Sequence, residues 1–196
     1  MTLSYLSYKI RGLRHNNTRR FIMEPVKVLT KENKRLEIFV DENPINPRDG
    51  RQFGIMYCFH RNYSLGDPHE LEKEDVHKIK KDSKNIVLPL YLYDHSGLRI
   101  STVPFSCPWD SGQVGIISVS KKDVLKEYNC KRVSKALTEK VKVRLNAEVE
   151  IYDLFLCGEV YYFKLSIDGK DVDSCGGFYG SDHDKSGLLD CADWEE

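Results

Sequence analysis

The chain has 196 residues, enough for one domain that buries roughly 70% of the surface its unfolded form exposes, so folding requires no disulfide or metal. Lysine plus arginine equals aspartate plus glutamate at 30 each, which removes the net-charge argument for nonspecific binding to nucleic acid or to an anionic membrane. The first twenty residues contain no apolar signal core, no stretch approaches the ~18 apolar residues of a membrane span, and the six cysteines form no C-x-x-C pair. The expected location is therefore a reducing cytoplasm.

The two ends of the chain carry opposite charge. Residues 1–20 contain five basic side chains and no acid, whereas residues 171–196 contain eight acids and one lysine. Such ends are most often solvated arms, and the alternative is an acidic surface that meets a basic partner. The change of pattern near Met23 predicts a basic N-terminal extension over 1–22 and a single domain over 23–196 with an acidic C-terminal tail.

The first part of the domain is predicted to be mostly β-structure. Alternating apolar residues predict strands at 36–40 and 54–60, with a proline-containing loop at 41–50 between them. Residues 67–85 contain too few apolar anchors for a buried element and are predicted to be a solvated connection. Three strong strand patterns follow, at 86–93, 98–103 and 114–119. In this order they predict a β-meander whose first strand is central in the sheet.

The helices are predicted in the second part of the domain. Ser120 precedes Asp123 by three residues, a capping pattern that predicts a short helix to about residue 128. Apolar residues at spacings of three and four predict a long helix from Ser134 to Leu156, ended by Gly158. A hairpin follows, with a strand at 160–167, a turn at 168–169 and a strand at 171–178. This order predicts an α+β fold with an antiparallel or mixed sheet, and with the long and short helices packed on one of its faces.

Three loops differ from the rest of a chain in which 31% of residues are charged. Each combines a cysteine with aromatic, glycine and short polar side chains, and they lie at 58–67, 105–115 and 173–180. Between Ser101 and Gly115 the only charge is Asp110, which predicts either a desolvated loop or the centre of a binding patch. The acids of the long helix, Glu148, Glu150 and Asp153, are expected to face solvent.

Four motifs allow a comparison with known families. They are Asn46-Pro47-Arg48 with Cys58-Phe59-His60-Arg61 and Leu65-Gly66-Asp67; Leu88 to Gly97; Phe105 to Gly115; and Asp173-Ser174-Cys175 with Gly177-Phe178-Tyr179-Gly180. Over roughly residues 35–180 the chain resembles an uncharacterised family of bacteriophage and mobile-element proteins. The resemblance implies a mobile-element setting and assigns no activity or site. Relatives read Cys-Trp-Gly-Phe-Tyr-Gly where this chain has Gly176 in place of the tryptophan, so a stacking role of that ring is absent here.

Several chemistries are open to these loops. A thiol enzyme would use Cys107 as nucleophile, His60 or His95 as base, and Asp110 or Asp94 to orient the base. Pro108 disfavours the usual arrangement in which the nucleophile opens a helix, because a residue before proline is pushed towards an extended conformation. Cys58 and His60 form the one closely spaced pair of zinc-ligand type, so no metal and no cofactor is predicted.

Binding of a nucleotide is the third chemistry open to these loops, after thiol catalysis and metal binding. Arg48 and Arg61 would grip its phosphates while its base stacks on Trp109 or Tyr63, as in a protein that sequesters a small nucleotide signal.

The leading hypothesis is a non-enzymatic accessory protein that binds and inhibits a host defence protein or effector complex, for example a CRISPR effector. A cysteine-dependent enzyme that modifies a host component and a protein that sequesters a nucleotide signal are the alternatives. The predicted binding residues are His60, Arg61, Trp109, Asp110, Gln113 and Tyr179. Trp109 itself has two interpretations, a residue that closes the core or an exposed interface anchor.

Overall fold

A computed structural model describes residues 24–50 and 52–194. The predicted extension over 1–22 and its boundary at Met23 lie outside the described residues. In chain order the elements are β1 (Lys27–Lys31), β2 (Lys34–Val40), β3 (Ile55–Cys58), α1 (Lys73–Lys81), β4 (Asn85–Asp94), β5 (Leu98–Ser101), β6 (Ser111–Ser120), α2 (Lys121–Glu127), α3 (Lys135–Leu156), β7 (Val160–Ile167), β8 (Lys170–Tyr179) and α4 (Leu188–Cys191). The fold is α+β, as predicted.

The strands form two antiparallel sheets. Sheet A has the order β1-β2-β7-β8 and sheet B the order β3-β6-β4-β5. The predicted hairpin is confirmed as β7 and β8, joined at Asp168 and Gly169. Both of these residues have positive φ, 51° and 75°, which is the requirement of the two-residue turn that matches the twist of a hairpin.

Sheet B packs on the two predicted helices, α2 and α3. Ser120 caps α2 and Ser134 caps α3, each accepting a hydrogen bond from the backbone N–H three residues later. Buried residues of α3, Val141, Leu145, Val149 and Tyr152, form one apolar cluster with the inner faces of β4 and β6 and with Val124 of α2. The cluster confirms that the long and the short helix share one face of a sheet.

The predicted β-meander is wrong in its pairing. β6 pairs along its whole length with β4, and not with the four-residue β5 that precedes it in the chain. A ten-residue partner offers β6 more than twice as many ladder positions as β5 does. β4 is thereby an inner strand of sheet B, as its apolar sequence predicted.

The predicted solvated connection at 67–85 contains a helix, α1. Glu72 and Asp75 form a capping box at its start, and the last turn is basic, so charges of both signs suit the helix dipole. Val76 is its buried residue, and that single apolar anchor explains why the sequence pattern did not predict it. None of the described helices is both long enough and apolar enough to cross a membrane.

The acidic C-terminal segment is more than a solvated arm. Leu188 and Ala192 are 0% and 2% exposed and pack with Phe163 and Leu165 on one face of sheet A. The ring of His183 lies edge-on to the ring of Tyr161, with 4.9 Å between the ring centres. Burial is the first cause of the lowered pKa of His183. The apolar side chains of this segment therefore complete the core of sheet A, while its described acids, Asp182, Asp184, Asp190 and Asp193, are exposed.

Candidate functional site

A buried ion cluster fixes the first motif to α3. The guanidinium of Arg48, 5% exposed, donates to both carboxylate oxygens of Asp67 at 3.1 and 2.5 Å, to Glu148 at 3.0 Å and to the carbonyl of Gly54 at 2.7 Å. Its donors are used within the protein, so the prediction that Arg48 grips a nucleotide is not supported. Arg48 is part of the scaffold of the site.

The two carboxylates of the cluster also hold backbone N–H groups. Glu148 accepts hydrogen bonds from Phe53 at 3.1 Å and Gly54 at 3.3 Å, and Asp67 accepts one from Met56 at 2.6 Å. The expectation that Glu148 faces solvent is wrong, since its side chain is 14% exposed. The cluster therefore sets the path of the chain on both sides of the loop at 59–64.

Three further residues of α3 anchor the neighbouring loops. The hydroxyl of Tyr152 accepts a hydrogen bond from Gly66 at 3.0 Å, and burial is the main cause of its raised pKa. Asp153, also expected in solvent, accepts two hydrogen bonds from the Nε and one from the Nη2 of Arg99, and a fourth from the backbone of Ile100. Asn146 accepts a hydrogen bond at 2.5 Å from Thr102, the first residue of the loop at 102–110.

Three loops meet at one end of sheet B, and we call residues 59–64, 94–97 and 102–110 the tip. The hydroxyl of Tyr63 donates to Asp94 at 3.4 Å, and the backbone N–H of Asp94 donates to the carbonyl of Asp110 at 2.8 Å. The side chain of Asp110 lies 3.5 Å from the Nδ1 of His95. The first and third resemblance motifs thus come together through the turn between β4 and β5.

The thiol at the tip is not arranged as a nucleophile. Cys107 donates to the Oδ2 of Asp110 at 3.4 Å, and the Nδ1 of His95 lies 3.5 Å from the same oxygen. Activation of a thiol requires an imidazole beside the sulfur, oriented by a carboxylate behind it. Here the hydrogen bond of the thiol goes to Asp110, and no hydrogen bond among the described residues joins the Cys107 sulfur to an imidazole. His60, the other predicted base, instead stacks on Tyr63 at 4.9 Å.

Trp109 is the most exposed large apolar residue described, at 92%. The interpretation of Trp109 as a core residue is therefore wrong. The loop around it is also exposed rather than desolvated, with Val103 at 64% and Pro108 open to solvent. An exposed loop that carries a tryptophan and a single charge, Asp110, has the composition of the centre of a protein interface.

No family model, curated protein or solved structure matches the chain. Function is therefore inferred from the geometry of the tip and of the cleft beside it.

A cleft of about 900 Å³ lies next to the tip, between the loop at 58–67 and the start of α1. Arg61, Tyr63 and Lys73 are among its lining residues. The ring of His69 lies beside that of Phe59, with 4.9 Å between the ring centres. The Nε2 of His69 lies 3.1 Å from the carbonyl oxygen of Cys58, and its Nδ1 is buried with no hydrogen-bond partner among the described residues.

The remaining predicted site residues are divided among three places. His60 and Arg61 line the cleft, and Gln113 is exposed on β6, with its amide donating to the carbonyl of Gly115 at 3.2 Å. Tyr179 lies at the end of β8 in sheet A, and its hydroxyl donates to the carbonyl of Ile45 at 3.4 Å. No described contact joins Tyr179 to the tip.

The Cys58 and His60 pair is separated by the end of β3. Cys58 faces the apolar cluster, where burial is the first cause that raises its pKa to about 12, whereas His60 belongs to the tip. Within residues 24–50 and 52–194, no three His, Cys, Asp or Glu side chains are grouped so that they could hold a metal ion.

Sequence reasoning missed the residues that position the site. Asp67 and Glu148 are separated from Arg48 by 19 and 100 positions, so no local pattern relates them. The sequence did contain one signal, which is that Asp67 directly follows Gly66. Gly66 has a φ of 72°, a conformation that favours glycine, and the tight turn there holds the Asp67 carboxylate in place.

Proposed function

We propose that this chain is a binding protein of the kind carried by bacteriophages and other mobile elements, and that it inhibits a bacterial defence protein or effector complex. The observation that carries the proposal is the 92% exposure of Trp109 on an anchored loop. The resemblance to mobile-element proteins supports the setting, and a CRISPR effector is one example of such a target.

The anchoring of the loop is what favours binding. Ser111 donates a hydrogen bond to the carbonyl of Cys107, Asp110 is engaged by His95, and Thr102 is held by α3. A ring on an ordered loop loses little conformational entropy when a partner covers it. Tryptophan is also the residue type most enriched among side chains whose truncation abolishes protein binding.

The thiol-enzyme alternative finds less support at the tip. The Cys107 thiol donates to Asp110 and not to an imidazole, so proton transfer from sulfur to His95 would require a different arrangement of these side chains. Activation of a thiol depends on a base beside the sulfur.

The proposal is tested by comparing Trp109→Ala with Val143→Ala. Val143 is also an exposed apolar residue, at 70%, and it belongs to α3 and not to the tip, so it serves as the matched control. Each immobilised protein is incubated with bacterial host extract, and retained proteins are quantified by mass spectrometry. We expect one stoichiometric protein partner with the wild type and with Val143→Ala, and a loss of about 30-fold in affinity with Trp109→Ala, corresponding to ~2 kcal/mol.

Stability measurements separate binding from folding. Trp109→Ala should keep the free energy of unfolding within about 1 kcal/mol of the wild type, because an exposed ring contributes little to the core. Asp110→Asn keeps the shape of the loop but removes the charge that faces His95. Unchanged partner binding by both variants would contradict the assignment of the tip as the interface.

A nucleotide ligand is the second candidate function, favoured by the cleft. Arg61 and Lys73 supply positive charge there, and the exposed Tyr63 ring supplies a stacking surface. Equilibrium dialysis against mono-, di- and cyclic dinucleotides tests this function directly. Retention by the wild type that Arg61→Ala removes and Trp109→Ala preserves would support it, and no retention of any nucleotide would contradict it.

A further inference from the structure

Two of the six cysteines, at positions 175 and 191, lie on neighbouring elements where α4 packs on sheet A. Cys175 is on β8, opposite Phe163 in the register of the β7–β8 ladder. Directly opposed residues of neighbouring strands point to the same face, so Cys175 lies on the face that buries Phe163. That face is the one covered by α4.

The packing of α4 brings Cys191 to the same place. Leu188 and Ala192 are buried against Phe163 and Leu165, and Cys191 lies between them in sequence at the end of this single helical turn. Partial burial and a hydrogen bond to the Cys175 thiol raise the pKa of Cys191, and both side chains are exposed to solvent. The Cys175 thiol also lies 3.8 Å from the carbonyl of Gly176. The ladder register and the packing of α4 therefore bring the two thiols together at a place that a soluble reagent can reach.

The other four cysteines differ from this pair. Cys58 is buried in the apolar cluster, Cys107 donates to Asp110, and Cys130 and Cys157 donate to backbone carbonyls. No described contact pairs the thiol of any of these four with another thiol.

We infer that Cys175 and Cys191 form a reversible redox site, in which a disulfide closes between β8 and α4 when the protein meets a low-molecular-weight disulfide. The first protein thiolate attacks a sulfur of the small disulfide and releases one small thiol. The second protein thiolate attacks the mixed disulfide and releases the other. The protein loses two electrons and two protons, and both are recovered in the two small thiols.

Closure has a structural effect on the C-terminal segment. The segment from Ser181 to Trp194 is attached to sheet A by noncovalent packing of Leu188 and Ala192. A disulfide to the edge strand would add a covalent cross-link there, which limits the unfolded chain more than the folded one. Oxidation should therefore raise the melting temperature, by roughly 5 to 10 °C for a chain of this size.

The test uses the full-length protein and glutathione disulfide. After incubation, free thiols are blocked with N-ethylmaleimide and the protein is digested with trypsin without reduction. Cleavage after Lys170 and Lys185 yields peptides 171–185 and 186–196, each with one cysteine. We expect these two peptides to be joined, and we expect dithiothreitol to reverse both the link and the rise in melting temperature.

Serine variants identify which two cysteines form the disulfide. Cys175→Ser and Cys191→Ser should each abolish the linked peptides and the rise in melting temperature, whereas Cys157→Ser, which changes another exposed cysteine, should preserve both. Separate glutathione adducts without the link would overturn the inference. A link that joins ¹⁵N-labelled to unlabelled chains in a mixed sample would overturn it as well, because the disulfide would then be intermolecular. The result is independent of the proposed function, since neither cysteine belongs to the tip.

Discussion

Replacing Arg48 with methionine tests whether the buried ion cluster supports the site. Methionine keeps an unbranched stem of similar length but removes the guanidinium, so Asp67 and Glu148 remain at 16% and 14% side-chain exposure without their shared cation. Breaking a buried ion pair from one side costs about 3–5 kcal/mol, because the partner charge stays desolvated. For a chain of this size that corresponds to a fall in melting temperature of roughly 6 to 20 °C.

The measurement is urea denaturation followed by fluorescence, with calorimetry for the melting temperature. Lys185→Met is the matched control, because its ion pair with Asp182 is 84% and 52% exposed and should contribute less than about 1 kcal/mol. Adding Asp67→Asn and Glu148→Gln to Arg48→Met should recover part of the loss, since no charge then remains buried. A loss from Arg48→Met no larger than that from Lys185→Met would refute the reasoning.

Three further predictions concern the core, a close backbone approach and a buried thiol. Leu188→Ala should cost about 2–5 kcal/mol in urea denaturation, because Leu188 is fully buried against sheet A, and a cost below 1 kcal/mol would restore the interpretation of the tail as a solvated arm. Gly115→Ala should prevent or severely weaken folding, since a Cβ there would collide with the carbonyl of Tyr57 on the paired strand; a native melting temperature would show that the strands separate without cost. Burial raises the pKa of Cys58 from 9.0 to about 12, so its thiol stabilises the fold below pH 9 and this contribution is lost as the pH rises from 9 towards 12. Over that interval the wild type should lose more stability than Cys58→Ala, which cannot ionise at this position, and parallel pH profiles of the two proteins would argue against a buried thiol.

The elements with long, regular patterns could be predicted from the sequence. α3 has 22 residues, a serine cap and apolar residues repeated on one face, and its bounds were predicted to within one residue. β4 and the β7–β8 hairpin were equally clear, because nearly continuous apolar residues and an Asp-Gly turn are strong local signals. α1 has one buried residue among mostly charged ones, and α4 is a single turn among acids, so neither has enough apolar residues for the sequence to predict a packed helix.

The site could be predicted only in part. The loop from Ser101 to Gly115 was distinguished by its lack of charge, and the contact between Asp110 and His95 joins two of the predicted motifs. The exposure of Trp109 could not be predicted, because a tryptophan between Pro108 and Asp110 is compatible with a core position and with a surface one. Which side it takes depends on how β4, β5 and β6 pair, and strand pairing is a nonlocal property.

The division of labour between α3 and the tip affects how this chain can evolve. Glu148, Tyr152 and Asp153 bind residues that flank the tip, and no described hydrogen bond joins any of them to Trp109. If the tip is the binding surface proposed above, substitutions of exposed residues such as Val103 and Trp109 would change what it binds at little cost to folding. A lineage under pressure to follow a changing target could diversify there while it preserves the helix, much as an antibody framework tolerates variation in its loops.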